Sequence, residues 1–288
     1  MKKYITEKNL NAYREHLYEE EKSPATIRKY MCDLRKLSAY LGTQELTKKK
    51  MIAYKEMLRS SSQYQLSSIN SFLTASNCFF DYMGWYECKV KTFRVQKEVF
   101  LPEYKNLTKA EYQKLVQAAS QSGRQRLSLI LETICATGIR ISELAEITVA
   151  GAKHGMADIY CKGKARKVLI PKPLQKKLLY YIGKKGLRQG PVFQTAGKKP
   201  VDRSNIWKEM KEICKLAGVR EEKVFPHNLR HLFAKSFYQI EKDIARLADV
   251  LGHSNIETTR IYIKTTGQEH RRQLEHMGLV SERCRDTT

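Results

Sequence analysis

Between Ser23 and Leu41 the apolar residues Ile27, Tyr30, Met31, Leu34, Leu37 and Leu41 recur at intervals of three and four. A chain that repeats such a stripe through most of its length can bury it only as packed amphipathic helices. Ser23-Pro24 supplies the start signal, a capping hydroxyl followed by a proline in the first turn. Similar stripes run from about Glu7 to Glu20, Thr47 to Arg59 and Gln65 to Met83, the last closed by Gly84. Residues 1–92 therefore read as a four-helix bundle, which is enough to bury a small core of its own.

Residues 93–106 sustain no period and contain Pro102, as expected of a linker. Thr108-Lys109-Ala110-Glu111 then spells a capping box and opens a second domain over 107–288. Helices are expected there from about Pro173, Arg203, Pro226, Lys242 and Asn255, with a last one near Gln268 to Met277. The pattern breaks once, from Ala157 to Pro171. There Ile159-Tyr160-Cys161 and Val168-Leu169-Ile170 flank Lys162-Gly163-Lys164-Ala165-Arg166-Lys167, a β-hairpin with a basic tip. The fold class is mainly α, with one small hairpin or sheet in the second domain.

Charge narrows the partner. The chain carries 53 Lys and Arg against 30 Asp and Glu, a net charge of +23, with +7 in residues 1–100 and +16 in the remainder. Such a surplus points to a polyanion, with nucleic acid ahead of a membrane surface. No stretch approaches the roughly 18 to 20 apolar residues of a membrane span. Met1-Lys2-Lys3-Tyr4 leads into a polar helix in place of a signal-peptide core, so a cytoplasmic, nucleoid-associated protein is expected. The seven cysteines form no C-x-x-C pair, and reduced thiols are expected of them.

Five residues carry chemistry. Arg140 lies in Ala136-Thr137-Gly138-Ile139-Arg140-Ile141-Ser142-Glu143-Leu144, where glycine permits a tight turn before a helix. His227-Asn228-Leu229-Arg230 puts a histidine and an arginine on one helical face. In Leu251-Gly252-His253 through Ile261-Tyr262, Tyr262 follows His253 by nine positions and is read as an exposed tyrosine and a candidate nucleophile for a phosphodiester. His227 and His231 lie four apart, but no Glu falls between them as in H-E-x-x-H and no third ligand is evident, so neither a metal nor another cofactor is expected. His231 reads as a structural hydrogen-bonding residue and Glu143 as one that orients its neighbours. Lys48-Lys49-Lys50 reads as a solvated helix start or a phosphate contact.

Arginine, then histidine with arginine, histidine and tyrosine, in that order, resembles the tyrosine recombinase (phage integrase and Xer) family, in its compact two-domain form. The resemblance implies that the N-terminal helices form a SAM-like core-binding domain on double-stranded DNA. It implies a nucleophilic Tyr262 that forms a 3′-phosphotyrosyl intermediate, Arg140 and Arg230 clamping the non-bridging oxygens, and His227 and His253 donating hydrogen bonds or moving a proton. A hairpin lysine would protonate the departing 5′ hydroxyl: Lys162, or Lys164 if the register differs. The family also implies a tetramer on two DNA sites working through a Holliday junction, for integration, excision or dimer resolution, with accessory DNA-bending proteins in some cases. The tail around Leu274, Met277 and Leu279 would pack on a neighbouring subunit or on its own domain. Two other readings stay open at this point: type IB topoisomerase-like relaxation, and a DNA-binding protein without catalysis.

Overall fold

The computed structural model describes residues 2–94, 106–161, 164–195, 197–262, 271 and 274–277, with side chains not described at Cys161 and Lys164. It divides into two compact units, Met1–Lys97 and Glu98–Thr288.

In the first unit, α1 (Glu7–Glu19), α2 (Pro24–Leu41), α3 (Lys48–Ser60) and α4 (Leu66–Tyr82) follow the stripes of the sequence. The hydroxyls of Thr6, Ser23 and Thr47 accept the first free backbone N–H groups of α1, α2 and α3. The stripe residues Ile27, Met31, Leu34, Leu37 and Leu41 meet Leu10, Met51, Leu73, Phe79 and Phe80 in one core. The chain leaving α4 doubles back. Asn77 exchanges hydrogen bonds with the backbone of Val90, at 2.8 and 3.0 Å. Asn70 does the same with Phe93, at 2.8 and 2.7 Å. Phe93, placed in the linker by the sequence reading, is thus tied to the bundle, because two helix asparagines saturate its backbone as a neighbouring strand would. Lys48 and Lys55 donate to the carbonyls of Lys89 and Lys91. The first lysine of the 48–50 run is neither merely solvated nor held out for phosphate, since it fastens this returning segment.

In the second unit, Thr108 and Glu111 form the reciprocal capping box at 3.1 and 2.9 Å. That box opens α5 (Lys109–Gln121), and α6 (Gln125–Thr137) follows, buried through Leu127, Leu129, Ile130, Leu131 and Ile134. After α6 the chain makes a 3-10 turn, Ile141–Glu146, where an α-helix was expected, and a short α7 (Val149–His154) that the sequence reading did not separate. Strands β1 (Met156–Cys161) and β2 (Lys164–Leu169) pair antiparallel from Met156↔Leu169 to Cys161↔Lys164. Ala157, Ile159 and Val168 are buried, whereas Tyr160 and Leu169 face outward. Then come α8 (Lys172–Lys185), α9 (Arg203–Ala217), α10 (Pro226–Glu241), α11 (Ile244–Leu251) and α12 (Ile256–Arg260). The last is only five residues long, not the extended helix expected from Asn255, and Tyr262 lies in the turn beyond it. The helix expected over 268–277 falls largely outside the described residues. No helix among those described is long and apolar enough to cross a membrane.

Candidate active site

The site begins with a close approach of backbone to side chain. Gly138 ends α6 in the left-handed region at φ +66°, and a Cβ placed there would stand 2.4 Å from the Phe233 ring of α10. Only glycine satisfies both conditions. The resulting contact of α6 with α10 turns the Gly138 carbonyl toward Arg230, whose Nη1 donates to it at 2.6 Å.

Two residues on, Arg140 adopts an extended conformation and caps the 3-10 turn. Glu143 accepts from the Arg140 backbone N–H and from its Nη1, both at 2.8 Å. A second guanidinium, Arg166 of β2, donates to the same carboxylate at 2.7 Å. Burial alone would raise the Glu143 pKa, but the hydrogen bonds from Arg140 and the charge of Arg166 outweigh it and hold the carboxyl below its ordinary value. Glu143 is therefore an anchor. The Arg140 side chain remains about a third exposed, at 36%, so its outer face is open to an anion.

Arg230, one turn into α10, is enclosed at 1% exposure. It makes no contact with a carboxylate among the described residues. Its partners include the carbonyls of Gly138 and Leu251, the latter at 2.8 Å, the Nε2 of His253 at 2.9 Å and the side-chain hydroxyl of Tyr262. Its Nε finds no partner among the described residues. Because a guanidinium can only donate, His253 accepts at Nε2 and carries its proton on Nδ1, which donates to Thr259 Oγ1 at 2.8 Å. Burial first, then the charges of Arg230, Arg140 and Arg166, push the His253 pKa down to about 4. His231 is likewise pushed down to about 4, by burial and by His227, and His227 is lowered by burial and by the two arginines. All three imidazoles are neutral near pH 7.

Tyr262 sits among them. Its ring stacks on His253 at 5.7 Å with 14° between planes, and meets His227 at 5.6 Å and His231 at 5.3 Å. The expectation of an exposed tyrosine is corrected: the side chain is only 4% exposed. The reason is tertiary, since the three histidines and the small cluster of Ala234, Leu247 and Leu251 close over the ring.

Arg140, His227, Arg230, His253 and Tyr262, spread over more than a hundred positions, thus share one neighbourhood, and Glu143 anchors it. Lys162 lies outside the described residues; Lys164 pairs with Cys161 in the ladder, and its side chain lies outside them too. The sequence reading missed two contributors. Thr259 is fully buried and fixes the His253 ring, a role that nothing in its local pattern announces. Arg166 had a usable signal. It lies opposite Ile159 in the hairpin and alternates with Val168, so period-two patterning puts it on the inner face.

The sequence profile of the phage integrase family matches residues 105–269, which contain every one of these positions. The chain belongs to the phage integrase family. Within it, the chain is 27% identical over 281 residues to the tyrosine recombinase XerA of Pyrococcus furiosus, covering 94% of both proteins. To the XerA of Thermococcus onnurineus it is 29% identical over 279 residues, with 94% of this chain and 95% of the relative covered. Among solved structures, a lambda integrase (75–356) dimer bound to a COC′ core site superposes at TM-score 0.74 and 18% identity, covering 93% of this chain and 97% of that one. XerH bound to difH in a pre-cleavage complex gives 0.69 and 20%, covering 96% and 85%. A lambda integrase tetramer bound to a Holliday junction gives 0.71 and 19%, covering 88% and 76%. At these identities the three structures establish the fold, mainly helical with a small antiparallel sheet. Family membership makes this chain a site-specific tyrosine recombinase and disfavours the readings as a topoisomerase or an inert DNA-binding protein.

Proposed function

We propose that the Tyr262 phenol attacks a DNA phosphodiester in line, forming a 3′-phosphotyrosyl bond and expelling the 5′ oxygen, and that the reverse attack by a 5′ hydroxyl of a partner strand rejoins the DNA. The observation that carries this is the enclosure of the Tyr262 ring by His227, His231 and His253 beside the buried Arg230. The two guanidiniums divide the work. Arg230 is fixed by two carbonyls and His253, Arg140 by Glu143, and together they present donors where charge gathers on the non-bridging oxygens. No energy is then spent on reorienting them during reaction. A neutral His227 can take the phenolic proton or hydrogen-bond the phosphate, while His253, whose ring nitrogens are engaged by Arg230 and Thr259, holds the Tyr262 ring in place. Lys162 protonates the leaving 5′ oxygen, with Lys164 the alternative two residues on.

In this reading residues 1–92 form the core-binding bundle and 107–288 the catalytic domain, and both draw on the +23 charge to hold double-stranded DNA. Two DNA sites are synapsed by four copies of the chain through a Holliday junction, a reading supported by the fold shared with the lambda integrase tetramer bound to such a junction. Accessory DNA-bending proteins and a nucleoid location complete it. The test is a nicked suicide substrate, on which the wild-type protein accumulates a covalent adduct and Tyr262→Phe does not. Adduct formation by Tyr262→Phe would overturn the assignment.

A further inference from the structure

The arginines and histidines of the proposed site come from three separate segments: the turn after α6, α10, and the loop between α11 and α12. The hairpin is a fourth. One side chain reaches from the hairpin to two of the others. Arg166 Nη2 donates to Glu143 Oε2 at 2.7 Å, and its Nη1 donates to the Val250 carbonyl at the end of α11. Its stem lies directly over Gly252: a Cβ at that glycine would stand 2.5 Å from Arg166 Cδ and 2.8 Å from its Nε. Gly252 is in the left-handed region at φ +65° and immediately precedes His253. The Arg166 side chain is 16% exposed, and both of its terminal nitrogens are engaged by protein acceptors.

We propose that Arg166 is a positioning residue for DNA cleavage, a bolt that sets the hairpin, the Arg140 anchor and the His253 loop in one register before DNA arrives. The proposal rests on the Tyr262 reading above and deepens it. The physical argument is one of geometry. Glu143 fixes Arg140, but a carboxylate on a 3-10 turn fixes nothing in the α11–α12 loop. Arg230 reaches that loop but not the hairpin. Arg166 alone, among the described side chains, bonds both Glu143 and the end of α11, and it does so from the strand that begins at the candidate general acid Lys164. Two partners engaged by two different terminal nitrogens require a fork. A lysine, with one ammonium, keeps the charge beside Glu143 and loses the bridge. Contact with phosphate is not the role the geometry indicates, because both terminal nitrogens face inward to protein acceptors.

The experiment compares wild-type protein with Arg166→Lys and Arg166→Ala on a suicide substrate, at protein concentrations that saturate the DNA. Arg166→Lys retains a cation against the buried carboxylate and should fold, so it keeps the test readable if the alanine variant does not. The expected result is unchanged DNA affinity and an unchanged slope of affinity against salt, with first-order adduct formation slowed about tenfold or more, as small misplacements of reacting groups do. Backbone hydrogen exchange gives a readout that needs no cleavage. The N–H groups of Gly252 and His253, bonded to Asp249 and Ala248 at 3.0 and 2.9 Å, should exchange faster in Arg166→Lys. Wild-type cleavage and wild-type exchange in Arg166→Lys overturn the proposal. So does a weaker salt slope in Arg166→Ala with cleavage at saturation unaffected, which would make Arg166 a phosphate contact. Failure of the Tyr262 reading looks different: no adduct with either protein, while the exchange difference persists.

Discussion

The two units bury polar groups for different ends. In the first, the buried charged side chain is Asp33, and it is paired with Lys29 four residues earlier on the same helix. In the second, Glu143 and Arg230 are buried together with Asn228 and Thr259, and their partners lie 21 to 92 positions away for Arg230 and 3 and 23 for Glu143. Among the described residues Arg230 has no carboxylate partner, a costly arrangement for stability. A fold does not need such a group. A site for a phosphodiester does, because an uncompensated guanidinium is free to meet the charge of the substrate. The helical unit spends its polar contacts on holding itself together, and the second unit spends them on holding a geometry.

That contrast can be broken most sharply at Tyr262. Tyr262→Phe should abolish the covalent adduct and leave DNA binding and melting temperature nearly unchanged, since the ring keeps its three histidine contacts. Next, Lys162→Ala should slow cleavage by a factor on the order of 10² to 10⁴, as loss of a general acid does. A substrate with sulfur as the bridging 5′ atom, which leaves without a proton, should restore much of the rate. Rescue of Lys164→Ala with none for Lys162→Ala would move the acid by two residues. Arg230→Ala should lower the cleavage rate by roughly 10² to 10³ and Arg230→Lys should recover little of it, because the donors to Gly138 and Leu251 cannot both be replaced by one ammonium. Near wild-type cleavage by Arg230→Lys would reduce this residue to a steering charge.

Acid should then separate the units. His231 and His253 have folded-state pKa values pushed down to about 4, so between about pH 6.5 and 4 the unfolded chain binds protons that the folded chain does not. Their contribution to stability is complete above about pH 6.5 and lost as pH falls toward 4, and Glu143, with its lowered pKa, adds a loss of the same sign at the acid end. Melting of the second unit should fall across this window, less steeply in His231→Gln. A flat profile from pH 7 to 5 would contradict the assigned neutral histidines. The smallest effect is expected in the first unit. Asn70→Ala, which strands the backbone of Phe93, should destabilise the bundle by about 1–3 kcal/mol, and adduct formation at saturating protein should change far less than in Arg230→Ala.

The elements were legible wherever their cause was local. Ser23-Pro24 and the Thr108–Glu111 box start helices because each involves residues three apart, and the hairpin declared itself by β-type runs on both sides of a basic tip. The 3-10 turn after Gly138 was read as a helix because Glu143 folds back onto the Arg140 N–H, a choice made together with Arg166 from another strand. The five residues of chemistry could be named in order but not arranged. Thr259 stayed invisible because its partner, His253, is six positions away across a loop whose path depends on Gly252 and Arg166.

By itself the sequence determined the stripes, caps and turns, the basic charge, and the order Arg140, His227, Arg230, His253, Tyr262, because these depend on side-chain chemistry and on neighbours within about four residues. Only the tertiary structure decided that Tyr262 is buried, that His253 accepts from Arg230 and donates to Thr259, and that Arg166 fastens the hairpin to α11. Those outcomes rest on contacts between residues 6 to 84 positions apart, whose positions are set by the packing of α6 against α10 and by the glycines that allow it.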